Sequence, residues 1–512
     1  MSESEFKKLD ELYVKKVNLR IKEIAERFIW TNSVAVEVSA AQTLRHLDIS
    51  EAKKLKYHPV KDGYVWGQPW GTAWFRLYCK VPRSFHGEIV YLHFQTEGEA
   101  ILFRDGVPVQ ALDHGRAEYR LLEKARGGEE IELYVEAGAN SAFGKFNRRT
   151  MHEPKISVFN QEVWECFWDM RTLADLLDAL EPDNPRRARI LYMLNKAVDQ
   201  FDYCGEPSRE KLRAQAKTAR QMLKELLSHK AEPSAPVMAC MGHAHIDVAW
   251  LWPLSETIRK CGRTFSNALE LMRLYPEYKF VQSQPQLYEF TRERYPSLYQ
   301  RIKEMVRKKQ WFPEGCMWVE ADCNLSGGEC LIRLLILGMR FMKEEFNYTP
   351  ECLWLPDVFG YPASLPQILR RSGITKFLTI KLSWNQFTTF PFHSFWWEGI
   401  DGSRVLAHFP PMNNYGTDLT AKNLVSAARR YREKDRSTIQ AVLFGYGDGG
   451  GGPNAGMLER LRRYRNLEGV PKLIPMSPTI SSVNWNKNRI IFLYGLENYI
   501  LSFIVVHTQL RL

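Results

Sequence analysis

Val237-Met238-Ala239-Cys240-Met241-Gly242-His243-Ala244-His245-Ile246-Asp247 is the stretch on which the reading of this chain turns. Val237 to Met241 is a short apolar run, the mark of a buried strand, and a glycine followed by a polar cluster ends it. Residues two apart in extended chain point the same way, so either His243 with His245, or His245 with Asp247, faces one point. An imidazole nitrogen beside a carboxylate oxygen is a donor set that zinc accepts. A hydrogen-bonded turn is the bland alternative, and this cluster alone leaves it open.

Working downstream, short apolar runs alternate with helical patterns. Phe280-Val281, Glu351 to Leu355, Phe377 to Ile380, Val405 to Phe409 and Ala441 to Phe444 read as strands; helices are expected near 254–274, 286–309 and 364–372. Alternating βα units predict a mostly parallel sheet, closed or nearly closed as a barrel, with its chemistry just past the strand carboxyl ends. Asp357 in WLPDVFG and Asp448 in FGYGDGGGGP follow two of these runs. Asp357 could instead cap the next helix. The glycines around Asp448 let backbone approach a ligand closely. A phosphate cradle is excluded, because the loop lacks the Gly-Lys-Ser/Thr ending and carries a carboxylate. Carboxylates and histidines at one barrel end suit retaining glycoside hydrolysis, which needs a nucleophilic carboxylate and a second carboxyl as acid and then base. A metal-dependent carbohydrate deacetylase and a non-catalytic remnant are the competing readings.

Upstream, apolar residues from Phe6 to Phe28 recur at near-helical spacing, followed from about 58 by short Val-, Tyr- and Phe-rich runs separated by turns. The expected organisation is a helical segment at 1–57, a β-sandwich at 58–167, and a helical connector with a Pro-containing linker at 168–236. A closed or nearly closed barrel of βα units would follow at 237–420, with the end of that domain at 421–490. The net charge of +11 lies in polar, helix-like segments with no nucleic-acid module beside them, so a nucleic-acid partner is not expected. The start has no signal-like region, no run is long enough to span a membrane, and the nine cysteines form no CxxC pair. A cytoplasmic protein is expected.

The segments HAHIDVAWLW (243–252), MWVEADCN (317–324), WLPDVFG (354–360), KLSWNQ (381–386), FWWEGIDGS (395–403) and GDGGGGP (447–453) resemble those of glycoside hydrolase family 38 α-mannosidases, in order over roughly residues 60–490. The resemblance implies an N-terminal β-sandwich, a (β/α)7 barrel, a three-helix bundle and large C-terminal β domains. It implies a zinc-dependent retaining α-mannosidase acting on a mannose-containing oligosaccharide. His245, Asp247 and Asp357 match zinc ligands, and Asp357 is also the nucleophile. Asp448 matches the general acid/base, Trp250 an aromatic platform beneath the sugar, and Trp384 and Asn385 substrate contacts. His243 supports the site.

The family takes its fourth zinc ligand from a His-Arg-Gly-Thr-Tyr motif that is not found before Leu512. Reading each third codon base with the next two, with allowed synonymous codons, Phe503 to Thr508 permits that motif. A frame change upstream of about Ile491 is therefore expected, with 491–512 an out-of-frame tail and the C-terminal β domains missing. The gene's nucleotide sequence decides this. The expected protein partners are a second copy of the chain or a separately encoded C-terminal half.

Overall fold

Residues 3–140, 145–478 and 492–493 are described in a computed structural model. The expected tail and the frame change lie outside these residues, apart from the backbone of 492–493.

Thr72–Lys80 alternates outward and inward side chains and pairs antiparallel with Glu130–Gly138 along its whole length. Around this pair a six-stranded sheet runs in the order His58–Val60, Glu37–Thr43, Thr72–Lys80, Glu130–Gly138, Glu99–Arg104, Val107–Leu112. A four-stranded sheet of Trp30–Ala35, His152–Phe159, Val90–Gln95 and Glu118–Leu122 makes the second layer. Phe75, Leu92, Phe94, Leu102, Val135 and Ile156 form the dry core of this unit. The expected boundary at 58 is corrected: two strands lie before it. Trp30–Ala35 and Glu37–Thr43 are rich in Ala, Ser, Asn and Thr, so they lack the bulky β-branched alternation that announces a strand.

The helix Glu3–Phe28 packs against Gln161–Leu177 and Pro185–Val198, and Arg209–Ser228 joins them. Asn184 caps the third of these, accepting from the Arg186 amide with Pro185 at the first helical position.

Past the linker, short strands among the described residues pair in parallel. Val237–His243 pairs with Ile439–Phe444 on one edge and with Phe280–Val281 on the other, and Phe280–Val281 pairs with Trp311–Phe312. Cys352–Trp354, Lys376–Leu378 and Arg404–His408 form a second parallel set. Met241, Val281, Phe312, Trp354, Leu378 and Leu443, drawn from both sets, share one buried cluster. Backbone pairing between the sets is interrupted at two seams, and a side chain bridges each. Glu314 accepts from the Glu351 and Cys352 amides at 2.9 and 2.8 Å, joining the end of Trp311–Phe312 to the next strand. His408 Nε2 accepts from the Ala441 amide at 3.1 Å, joining Arg404–His408 to Ile439–Phe444. Burial holds the His408 imidazole down at about 3, so it is neutral and able to accept.

Leu254–Leu274 forms as expected. The single helix expected over 286–309 is two, Pro285–Arg294 and Pro296–Arg307, because Pro296 lacks the amide a continuous helix needs. Strands of the same sheet continue past 420, in the stretch expected to end that domain. Ile439–Phe444 is a central strand, and Lys472–Pro475 pairs with the amino-terminal half of Val237–His243. Residues 421–475 thus complete the catalytic sheet, and no bundle follows among the described residues. There, no helix is long and apolar enough to cross a membrane.

Candidate active site

Every residue singled out for chemistry follows the carboxyl end of a parallel strand. His245 and Asp247 lie on the loop after Val237–His243, and Asp357 follows Cys352–Trp354. The ladder brings neighbouring strand ends together, so residues more than a hundred positions apart meet. His245 Nε2 lies 3.2 Å from Asp247 Oδ1 and 3.2 Å from Asp357 Oδ2. The three donor atoms lie within 4.8 Å of one another, the one such group of His, Cys, Asp or Glu among the described residues.

Of the two pairings open at Gly242 to Asp247, His245 with Asp247 is the one found. His243, fully buried, instead accepts from Trp354 Nε1 at 3.3 Å. Burial, with the neighbouring His245 charge, pushes its imidazole down to about 3. Asp357 is not a helix cap, since the next helix, Leu365–Arg371, begins eight residues later.

Two residues missed in the sequence complete the cluster. Lys381 follows the strand Lys376–Leu378 and is only 2% exposed; its ammonium pairs with Asp357 Oδ1 and lies 3.4 Å from the centroid of the Trp384 ring. Glu320, its side chain 7% exposed, places Oε2 3.6 Å from His245 Nδ1. Neither of those two atoms makes a hydrogen bond. Ser283 Oγ and Gln284 hold Glu320: the hydroxyl donates to Oε1 at 2.9 Å, and the Glu320 amide donates to Gln284 Oε1 at 3.1 Å.

This arrangement fits a divalent cation. Carboxylates face both ring nitrogens of His245, whereas a neutral imidazole carries one N–H. Burial disfavours charge on the ring, but Glu320 and Asp247 outweigh it and hold its pKa well above the ordinary imidazole value. A metal at Nε2 would satisfy that side and leave Nδ1–H to face Glu320, the usual carboxylate–histidine–metal order. Zinc bonds of about 2.0–2.2 Å at tetrahedral angles set neighbouring donors roughly 3.4 Å apart, close to the two 3.2 Å separations from His245. With His245 deprotonated as a ligand, Asp247, Asp357 and Glu320 against the Lys381 ammonium leave two negative charges, matching one divalent ion.

The remaining expected residues sit less tightly. Trp250 is 38% exposed on the same loop as Asp247, and Trp384 is 46% exposed. Asn385 Oδ1 accepts from the Phe387 and Thr388 amides, both at 2.9 Å, so that oxygen shapes its own loop and only the amide nitrogen is left for a ligand. The backbone of Asp448 lies in the short 3₁₀ turn Asp448–Gly450, while its side chain lies outside the described residues. The glycines of this loop serve packing within the protein. Gly445 has φ 133°, and a Cβ there would strike the His243 carbonyl; a Cβ on Gly450 would lie 2.8 Å from Ile246 Cγ1. The glycine loop therefore lies directly against the His245–Asp247 loop.

The chain is similar to known proteins over most of its length. Residues 235–481 match the glycosyl hydrolases family 38 N-terminal domain, and residues 15–173 an alpha-mannosidase jelly roll domain. Alpha-mannosidase 2C1 of Homo sapiens is 36% identical over 485 residues, covering 91% of this chain and 45% of the relative. Alpha-mannosidase G of Dictyostelium discoideum is 36% identical, covering 86% and 42%. An alpha-mannosidase of Saccharomyces cerevisiae is 33% identical, covering 82% and 41%. The chain thus spans less than half the length of these relatives, and with matches to both of its domains it belongs to glycosyl hydrolase family 38.

Proposed function

We propose that this chain carries the metal- and nucleophile-bearing part of a zinc-dependent retaining α-mannosidase, built on a (β/α)7 barrel whose two seams are bridged by Glu314 and His408. The observation that carries the reading is the convergence of His245, Asp247 and Asp357 at the strand ends. Zinc held by these three residues would act as a Lewis acid on sugar hydroxyls. An Asp357 carboxylate oxygen attacks the anomeric carbon, while Asp448 gives its proton to the leaving oxygen as the glycosidic bond breaks. Asp448, now a carboxylate, takes a proton from water; the water oxygen attacks the same carbon and Asp357 departs, so the configuration is retained. Lys381 pins one Asp357 oxygen and fixes the plane of the carboxylate. Trp250 and Trp384 offer ring faces to the apolar face of mannose, and Asn385 keeps its amide nitrogen for a hydroxyl.

The substrate is a mannose-containing oligosaccharide. A cytoplasmic setting is supported by the nine cysteines, all unpaired. A separately supplied C-terminal portion would complete the site. Its support is the exposed Ile332, Ile336 and Leu337 on the helix Gly328–Phe346.

Release of nitrophenol from its α-mannoside, with chelator and after zinc is restored, tests the reading. Chelator-sensitive release, restored or raised by a co-expressed C-terminal portion, is the expected result. Release of acetate from an N-acetyl sugar in place of nitrophenol would favour the deacetylase reading, which has no need of Asp448.

A further inference from the structure

The glycine loop has almost no side chains with which to hold itself, yet four of its carbonyls are occupied by side chains from elsewhere. Lys260 Nζ donates to Gly449 O at 3.1 Å, Thr264 Oγ1 to Gly450 O, and Asn267 Nδ2 to Pro453 O at 2.9 Å. These donors are spaced i, i+4, i+7 on Leu254–Leu274, so they form one stripe along a helix face. The fourth donor comes from the β-sandwich. Arg116 Nη1 donates to Gly451 O and, at 3.2 Å, to Pro453 O.

Arg116 is itself held. Asp113 accepts from its Nε at 3.0 Å within a tight turn closed by backbone bonds between the two residues, and the Arg116 side chain is 7% exposed. Tyr446 and Gly452 close the base of the loop with paired amide–carbonyl bonds of 2.9 and 2.7 Å. Between them Gly449, Gly450 and Gly452 all have positive φ, from 70° to 82°. Glycine has the most conformational freedom to lose on ordering, so this shape depends on the outside donors. Behind the loop, Arg116, Lys260, Arg263 and Thr264 line a cavity of about 560 Å³, room into which a released loop can move.

We propose that Arg116, with Lys260, Thr264 and Asn267, is a positioning clamp for the acid/base loop, and that the β-sandwich thereby takes part in the proton-transfer step. The assignment of that step rests on the reading of Asp448 above; the clamp itself does not. Through Arg116 the sandwich fixes the backbone on which Asp448 is carried. It reaches no reacting atom.

Two measurements on the full chain separate the claims. Hydrogen–deuterium exchange of the peptide spanning 445–453 reads the clamp without requiring activity. Arg116→Gln raises exchange there on the order of tenfold, the effect of losing a charge-assisted hydrogen bond, while strands such as Val237–His243 keep wild-type protection; Arg116→Lys restores part of it. Unchanged exchange in Arg116→Gln, or an equal rise throughout the barrel, overturns the clamp. Hydrolysis of aryl α-mannosides with good and poor leaving groups then reads the proton step. Arg116→Gln and Asp448→Asn both lose rate selectively on poor leaving groups, which need protonation. If Asp448→Asn shows no such selectivity the acid/base reading fails, whereas if it does and Arg116→Gln does not, the link from the sandwich to catalysis fails.

Discussion

The two halves of the candidate site are held by opposite means. Around His245 the functional side chains hold one another: Asp247, Asp357, Lys381 and Glu320 meet in one charged cluster. The glycine loop carrying Asp448 is held by its carbonyls, through side chains of a neighbouring helix and of another domain. The first arrangement fixes charge and depends on the identity of its own residues. The second fixes backbone and delegates stability to residues with no chemistry of their own. Substitutions in the first half should therefore abolish function with modest effect on folding. In the second half, and in the domain interface supporting it, stability and loop order should suffer first.

Asp357→Asn makes the largest break. In an active assembly it should lower kcat on nitrophenyl α-mannoside on the order of 10⁴-fold, the loss seen when a group central to a covalent mechanism is removed.

Next is the interface behind the loop. Glu256 pairs with Arg259 and Arg263 while Glu99 pairs with Lys260 and Arg263, and Glu136 pairs with Arg259. Glu256→Gln leaves buried cations underpaired and should cost about 3–5 kcal/mol in urea unfolding. Burial opposes the Glu256 charge, but Arg263, Arg259 and Lys260 overcome it and hold the carboxyl at about 2. A carboxyl depressed in the folded state contributes stability above its ordinary value near 4.5, and that contribution fades as pH falls toward about 2. Acid unfolding of the wild type should show this loss, and Glu256→Gln should flatten it.

Glu320→Gln should weaken zinc binding about 10–100-fold, the usual effect of removing a carboxylate that orients a ligating histidine, measured by competition with a chromophoric chelator. Smallest is Thr264→Ala, which removes one donor of the clamp and should cost about 1 kcal/mol.

How much of this was legible follows the same division. The convergence of His245, Asp247 and Asp357 was legible because a metal site and a nucleophile would need particular residue types, placed at the ends of apolar runs that themselves announce strands. Lys381 and Glu320 were not. Lys381 lies 24 residues from Asp357 and Glu320 lies 75 from His245, and only strand pairing reveals that those loops converge. Arg116 was further out of reach, because no local pattern links a turn of the sandwich to a loop more than 300 residues later. In the fold, apolar strands of the catalytic part were readable, whereas Trp311–Phe312 is two residues long and the Ala- and Ser-rich first strands of the sandwich resemble loop. The glycines, read as letting backbone approach a ligand, at Gly445 and Gly450 also leave room for the protein's own backbone and side chains.

The central claim is that His245, Asp247 and Asp357 together form one metal site, and zinc titration of the purified full chain by calorimetry with elemental analysis tests it most directly, whether or not the chain is active alone. One ion per chain, with affinity lost in His245→Ala and in Asp247→Ala while folding is retained, is the predicted result. No zinc bound by the folded wild type, or binding that survives both substitutions, would contradict it.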